Sequence, residues 1–210
     1  MSAEEVVIFD KALECMSRDD LEAHQLEKLR HQLHHVREKS PFYRRKLDAA
    51  RINPDHIRTM EDVRRIPFTE KHELLKSQAD EPPWGDFACI TQDEAVRVFQ
   101  TSGTTGRPLR IMYNRRDWYV NFYEQFMHFR CGYGLTERDV LYVPFNYGMF
   151  LAWWGFQAAM EKAGLLIVPG GGLSSQDRIR ALDDWGANVI CGTPSYMLRL
   201  PEIAAEMGID

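Results

Sequence analysis

Short apolar segments alternate with helical segments through the second half of this chain, and this alternation constrains the fold most. The apolar segments are "VLYVPF", "LLIVPG" and "NVICG", each as short as a strand and bounded by turn residues. Between the last two, "SQDRIRALDDWG" places apolar residues at helical spacing and ends at a glycine, Gly186. Strands that alternate with helices predict a mainly parallel sheet flanked by helices.

The first eighty residues favour helices instead. In "LEKLRHQLHHVREKS" the apolar side chains recur at helical spacing and Ser40, followed by Pro41, ends the pattern. Two further helix starts are predicted, one at Thr59 with Asp62 three residues later, and one at Thr69 with Glu70. This part of the chain is therefore predicted to be helical.

A change of character follows near residue 80. The stretch "DEPPWGDF" is rich in turn residues, and after it "AVRVFQ" and "LRIMY" alternate in the way that half-buried strands do. We predict a helical N-terminal region over residues 1–80 and an α/β subdomain over residues 81–210. Near the end of the chain, Pro201 is expected to kink or break the last helix.

Composition excludes several classes of protein. With 210 residues, 44% of them hydrophobic, and a formal charge of −5, the chain lacks the excess of Lys and Arg that a nucleic-acid surface needs. Four widely spaced cysteines form no Cys-x-x-Cys pair, and "MSAEEVVIFD" lacks the basic flank of a signal peptide. We expect a cytoplasmic protein with neither a membrane nor a nucleic acid as partner, and no protein-held metal.

The stretch "TSGTTGRP", residues 101–108, lies between the two alternating segments. Its glycines allow successive backbone N–H groups to point into one concavity, while hydroxyls and a guanidinium add further donors to an anion. The pattern is neither the Walker loop nor the dinucleotide fingerprint, both of which open into a helix. It predicts a polyphosphate cradle, with a polar hairpin that binds no ligand as the alternative. The candidate residues are Thr101, Ser102, Gly103, Thr104, Thr105, Gly106 and Arg107.

"TSGTTGRP" is similar to the phosphate-binding loop of adenylate-forming enzymes, the acyl-CoA synthetases and their relatives. Two flanking stretches narrow the resemblance. "SPFYRRKLDAARINPDHIRTMEDVRRIPFTEKHELL" resembles the N-terminal helical region of phenylacetate-CoA ligases, and "GTPSYMLRL" resembles a later segment of the same enzymes. The resemblance covers the chain from about residue 25 onward. It implies an α/β fold that forms part of the large N-terminal domain of an adenylate-forming enzyme, with residues 81–210 as an incomplete nucleotide-binding subdomain.

The resemblance also implies an activity. These ligases join a carboxylic acid to ATP to form an acyl-AMP and pyrophosphate, and then pass the acyl group to coenzyme A. The implied cofactors are ATP, Mg²⁺ and coenzyme A, with the loop from Thr101 to Arg107 on the β- and γ-phosphates. Arg107 stands where lysine is common in the family. Arginine keeps the positive charge but binds phosphate oxygens in pairs, through two parallel hydrogen bonds.

An acyl site is implied by the aromatic stretch "PFNYGMFLAWWGF". By resemblance, Phe145, Tyr147 and Phe150 lie near the ring of a phenylacetate-like substrate, for which aromatic walls are suited. Relatives often carry small glycines where this chain has Trp153 and Trp154. These two indoles either reshape the pocket or pack in the core.

Family members carry further motifs that we expect to lie outside these 210 residues. They include an adenine-binding aromatic-Gly-x-Thr-Glu motif, an Asp for the ribose and a lid domain with a catalytic Lys. No catalytic residue is therefore assigned here, and the chain alone is expected to be inactive. An incomplete sheet would expose apolar surface, which favours self-association or a homodimer.

Two alternatives to an aryl acid:CoA ligase remain open. One is a relative that adenylates another acceptor, as the coenzyme F390 synthetases do with a cofactor phenol. The other is a non-catalytic module that binds a phosphate-bearing ligand or a partner chain.

Overall fold

The computed structural model describes residues 7–101, 103 and 106–209. The chain divides into two compact units: an N-terminal unit, Asp10–Trp118, and a sheet unit, Tyr119–Asp210 together with Met1–Phe9. The boundary proposed near residue 80 lies within the N-terminal unit. How the complete protein divides into domains stays a prediction.

The N-terminal unit begins with helices and ends with a hairpin. Its helices are α1 Lys11–Glu14, α2 Arg18–Lys39, α3 Pro41–Ala49, α4 Met60–Val63 and α5 Lys71–Asp80, with 3-10 turns at Pro54–His56 and Gln92–Glu94. The predicted start at Thr59 is present: its hydroxyl accepts from Asp62 N, and Asp62 Oδ2 accepts from Thr59 N. The following helix is capped by Glu70 rather than Thr69, with Glu73 reaching back to Glu70 N.

The helical core of this unit is a small cluster of aliphatic side chains. Helix α2 contributes Leu26 and Leu33, which are buried against Leu47 of α3 and against Ile52 and Ile57 of the following turn. Leu26 and Leu33 are seven residues apart on α2, so that one face of the helix packs inward. Burial of such a face, rather than helix propensity, stabilises helices of this length.

The hairpin consists of β1 Ala95–Gln100 and β2 Arg110–Asn114, which pair antiparallel within the described residues with Gln100 opposite Arg110. Phe99 is buried and stacks on Trp118, with their ring centroids 5.4 Å apart. This contact fixes β1, near the point where it enters the loop, to the last residue of the N-terminal unit. A π-helical turn, Asp117–Asn121, leads to the sheet unit.

The sheet unit alternates helices and strands as predicted. Its elements are α6 Phe122–Gly132, β3 Val140–Val143, α7 Leu151–Lys162, β4 Leu166–Pro169, α8 Ser175–Asp184, β5 Val189–Ile190 and α9 Pro194–Glu206. Among the described residues, three parallel strands form a sheet in the order β4-β3-β5. The predicted fold class, an α/β chain with a mainly parallel sheet flanked by helices, is confirmed.

The core of the sheet unit centres on β3. Leu141 and Val143 are buried against Phe156 and Met160 of α7 and against Met127 of α6. Helices α6 and α7 approach closely at Gly155, where a β-carbon would lie 3.2 Å from the ring of Phe122. The small residue therefore permits the contact between the two helices.

The last helix tests one of the two outcomes predicted at Pro201, the break. Helix α9 continues across Pro201, so the expected break does not occur. A proline removes one backbone hydrogen bond from a helix without forcing it to end, and Leu200 and Ile203 on either side are buried against Ile179 of α8. Across the described residues, no helix has the length and apolarity that crossing a membrane requires.

Candidate active site

The predicted site residues fall in both units, and each group is described within its own unit. The loop residues belong to the N-terminal unit and the aromatic residues to the sheet unit. Of the loop residues, Ser102, Thr104 and Thr105 lie outside the described residues.

The neck of the loop is closed by two hydrogen bonds between Thr101 and Leu109. Thr101 N donates to Leu109 O, and Leu109 N donates to Thr101 Oγ1, both at 3.0 Å. A hydroxyl oxygen that accepts one hydrogen bond can still donate its own proton. Thr101 can therefore hold the neck together and contribute a donor to the loop.

Both glycines of the loop adopt backbone conformations that favour glycine. The φ angle is +67° at Gly103 and +138° at Gly106, and Gly106 N donates to Gly103 O at 3.0 Å. A β-carbon on Gly103 would lie 3.0 Å from Gly106 O and 3.3 Å from Pro108 N. At this φ angle and with these neighbours, any residue other than glycine would be strained at position 103. The side chain of Arg107, directly after Gly106, is exposed.

The aromatic residues of the sheet unit follow the carboxyl end of β3. Phe145 packs edge-on against Trp153, with ring centroids 4.6 Å apart, and Tyr147 packs edge-on against Trp154 at 5.0 Å. Phe150 is 51% exposed at the start of α7.

A cavity of about 360 Å³ opens beside these rings. Its wall includes Phe145, Asn146, Tyr147, Trp154, Gln157, Pro169, Gly171 and Gly172. It lies at the carboxyl ends of β3 and β4, the edge at which open parallel sheets bind their ligands. A cavity of this size with mainly apolar walls suits a small molecule.

The two tryptophans have different roles, so that neither alternative raised by the sequence describes both. Trp154 lines the cavity, and its Nε1 donates to Gly148 O at 2.7 Å. Trp153 packs against the core cluster and meets Phe156 edge-on at 6.0 Å.

Polar side chains in and beside this cavity form a chain of hydrogen bonds. The Tyr147 hydroxyl donates to Gln157 Oε1, and Gln157 Nε2 donates to Glu161 Oε1. Burial raises the pKa of the Tyr147 phenol, and the nearby Glu161 carboxylate adds to the effect. Tyr147 therefore stays protonated at neutral pH and acts as a hydrogen-bonding wall.

Sequence reasoning missed Asn146, Gln157 and the glycines after β4. A β-carbon on Gly171 would lie 3.2 Å from Asn146 Cα and 3.3 Å from Phe145 O. The run "PGGG" after a predicted parallel strand was an available signal, because consecutive glycines at a strand's carboxyl end permit close backbone approach.

One expectation about motifs needs correction. Residues 133–137, "YGLTE", do match the aromatic-Gly-x-Thr-Glu pattern expected to lie elsewhere. The structure places them in the turn before β3, at the opposite end of that strand from the cavity. Asp139 Oδ2 accepts from Thr136 N at 2.6 Å, and Glu137 Oε1 accepts from Arg130 Nη2 at 2.6 Å. Thr136 and Glu137 of this stretch therefore form hydrogen bonds with residues close to them in sequence.

Among the described residues, no cluster of three or more His, Cys, Asp or Glu side chains could hold a metal ion. Burial raises the pKa of the Cys191 thiol, which follows β5. This thiol is therefore a weak nucleophile at neutral pH.

Comparison with known proteins decides the family. Residues 21–208 match the AMP-binding enzyme family. This chain belongs to that family. It is 33% identical over 200 residues to a phenylacetate-coenzyme A ligase of Pseudomonas putida, and 34% identical over 204 residues to one of Thermus thermophilus. These matches cover 94% and 97% of the chain but 44% of each ligase.

Solved structures agree. A 2-hydroxyisobutyryl-CoA ligase in complex with 2-HIB-AMP and CoA matches the whole chain with a TM-score of 0.90 and 30% identity, over 44% of its own length. An open conformation of that ligase gives a TM-score of 0.89 at 28% identity, over 48% of its length. The predicted resemblance to the N-terminal part of phenylacetate-CoA ligases is confirmed, and the chain spans less than half of the relatives it matches.

Proposed function

We propose that the chain is the N-terminal part of an ATP-dependent CoA ligase that acts on a phenylacetate-like aryl acid. The observation that carries this proposal is the loop of residues 101–108, with its tight turn at Gly103, in a member of the AMP-binding enzyme family. The complete ligase forms an acyl-AMP and then an acyl-CoA, with ATP, Mg²⁺ and coenzyme A as cofactors.

The chemistry requires a group that binds polyphosphate. A carboxylate is a poor acyl donor, and its attack on the α-phosphate of ATP, with release of pyrophosphate, gives a mixed anhydride that the thiol of coenzyme A can cleave. The protein contributes alignment and charge stabilisation to such a transfer. The residues from Thr101 to Arg107 would hold the β- and γ-phosphates, and Mg²⁺ would arrive with ATP.

The described part of the loop fits this ligand. Gly103 adopts a left-handed backbone conformation in which a β-carbon would press on Gly106 O, so the tight turn requires a glycine, and Arg107 offers a planar fork to phosphate oxygens. Thr101 adds a hydroxyl at the neck.

An aryl acid is favoured by the cavity of the sheet unit. Phe145, Tyr147 and Trp154 give it three aromatic walls, which suit a flat ring. Phe150 is proposed to contact the substrate as well, from its exposed position at the start of α7.

Binding of Mg²⁺-pyrophosphate and Mg²⁺-ATP to the chain, measured by isothermal titration calorimetry, tests the proposal. We expect Arg107→Ala to weaken pyrophosphate binding about tenfold and Arg107→Lys to weaken it less, because charge-assisted hydrogen bonds are lost or reduced. Arg116→Ala is the matched control, since Arg116 is exposed in the same unit just beyond the far end of β2.

The results divide clearly. Absence of binding to the unaltered chain would contradict the proposed role of the loop, as would equal losses in Arg107→Ala and Arg116→Ala. The chain alone is expected to show no acid-dependent exchange of pyrophosphate into ATP, because it matches less than half of a ligase.

A further inference from the structure

The outer edge of β2 presents two backbone groups at the base of the loop. Thr101 N donates to Leu109 O, and the next pair along the hairpin is Gln100 opposite Arg110. Hydrogen-bonded and non-hydrogen-bonded pairs alternate in an antiparallel ladder. The N–H and C=O of Arg110 therefore point away from β1, toward the outer edge.

The side chain of Gln78 occupies this edge. Arg110 N donates to Gln78 Oε1 at 3.2 Å, and Gln78 Nε2 donates to Arg110 O at 2.6 Å. One planar amide thus takes the place of a neighbouring strand. Gln78 is 4% exposed, so water cannot readily replace either bond if the amide is removed.

A separate buried polar network joins helix α5, which carries Gln78, to the segment that follows it. Ser77 Oγ donates to Asp86 Oδ1 at 2.7 Å and accepts from Asp86 N at 3.0 Å, while Arg45 Nη2 donates to Asp86 Oδ2 at 2.6 Å. The Gln78 amide forms its own hydrogen bonds with Arg110 and Trp84, and not with this network. Arg110 is three residues from Arg107, so a constraint on one limits where the other can lie.

We propose that Gln78 is a positioning residue for the phosphate loop: its amide holds the backbone of Arg110 and thereby limits where the guanidinium of Arg107, three residues earlier, can meet a polyphosphate. The inference rests on the proposed function of that loop. Gln78 contacts no phosphate in this scheme and acts through the backbone alone. The amide spans 32 positions of sequence, from α5 to β2.

The test compares Gln78→Met with Ser77→Ala in Mg²⁺-pyrophosphate titrations of the chain. Methionine keeps the length and packing of glutamine but loses both hydrogen bonds to Arg110, together with the weaker one from Gln78 Nε2 to Trp84 O at 3.3 Å. Alanine at Ser77 breaks the neighbouring buried network and leaves the Gln78 amide in place. We expect Gln78→Met to weaken pyrophosphate binding about tenfold, the loss typical of about one hydrogen bond, and Ser77→Ala to bind like the unaltered chain.

Three other outcomes would overturn the proposal. If Gln78→Met binds pyrophosphate as tightly as the unaltered chain, or if both variants weaken binding equally, Gln78 has only a structural role. If the unaltered chain binds no pyrophosphate, the proposed function of the loop fails and this inference fails with it. The first two outcomes leave the loop's function intact, so the two failures are distinguishable.

A second variant covers the case in which Gln78→Met does not fold. Gln78→Glu keeps an acceptor for Arg110 N but loses the donor to Arg110 O. We expect weaker pyrophosphate binding here as well, with circular dichroism confirming the folded state. Unchanged affinity in a folded Gln78→Glu variant would again overturn the proposal.

Discussion

Gly170 lies so close to Tyr142 that a β-carbon on the glycine would stand 2.5 Å from the phenol oxygen and 2.7 Å from Cζ. Tyr142 is in the central strand β3 and has no exposed surface, and Gly170 directly follows β4. Gly170 N also donates to Val143 O at 2.8 Å, which extends the pairing of the two strands. The carboxyl ends of β3 and β4 are therefore joined at a point that admits only glycine.

Gly170→Ala is expected to destabilise the sheet unit by about 1–3 kcal/mol, because a methyl group forced into a packed site shifts the backbone or the ring. Urea unfolding followed by circular dichroism measures the loss. Gly132→Ala is the control, since a β-carbon there would meet nothing within 4 Å. Equal stability of the two variants would mean that β4 can move away from Tyr142 without cost.

The hydroxyl of Tyr142 gives a second prediction. Among the described residues, this buried oxygen has no hydrogen-bond partner, and burial raises the pKa of the phenol. An unsatisfied buried polar group costs about 1–3 kcal/mol. Tyr142→Phe is therefore expected to unfold at the same or a higher temperature than the unaltered chain.

Tyr196→Phe is the control for that substitution. The Tyr196 hydroxyl accepts from Arg178 Nη1 at 2.9 Å and lies 3.1 Å from Ser175 Oγ. Its removal should lower the melting temperature measured by differential scanning calorimetry. A Tyr142→Phe variant that loses as much as Tyr196→Phe would show that the Tyr142 hydroxyl has a partner.

Local features of this fold were predictable from the sequence. Gly186 ends α8 with φ +59°, and Ala187 N donates back to Leu182 O, the arrangement expected after a helix that stops at glycine. Thr59 and Asp62 cap α4, as their spacing of three residues predicted. Such signals involve residues a few positions apart, so that spacing alone carries them.

Contacts between distant segments were not predictable. The Gln78 amide meets Arg110 because α5 packs beside the hairpin, and Gly171 meets Asn146 because β4 pairs with β3. No sequence pattern marks a glutamine whose side-chain amide pairs with the backbone at the edge of a strand. The loop stands out as a candidate in the sequence because glycines at such positions indicate a backbone requirement directly; its role in binding phosphate stays a prediction.

The ion pair between Lys46 and Glu73 leads to a pH prediction. Lys46 Nζ donates to both oxygens of Glu73, at 2.6 and 2.5 Å. This contact, followed by the bond from Glu70 N, holds the pKa of the Glu73 carboxyl below its ordinary value of 4.5. A depressed pKa means that the folded state is stabilised above that value and loses the stabilisation as the pH falls through the folded pKa.

Glu73→Gln is therefore expected to melt below the unaltered chain at pH 7, with the difference shrinking as the pH falls below about 4.5. Melting temperatures from pH 7 to pH 3 check this. Glu61→Gln is the control, because Glu61 and Arg64 form an exposed pair on α4. A Glu73→Gln deficit that persists unchanged at acid pH would contradict the electrostatic account.

Trp154 is expected to set the size of acid that the cavity accepts. Its indole lines the cavity, is held by the bond from Nε1 to Gly148 O, and packs on Tyr147. Trp154→Ala removes one wall and leaves Phe145 and Tyr147 in place. The ratio of the affinities for the larger naphthylacetate and for phenylacetate, measured by saturation-transfer NMR, should therefore rise by about tenfold. About one or two kcal/mol of packing produces a change of this size.

Trp185→Ala is the matched control, because Trp185 is 61% exposed and follows α8. If the preference between the acids is the same in both variants, the cavity at the carboxyl ends of β3 and β4 does not bind the acyl group.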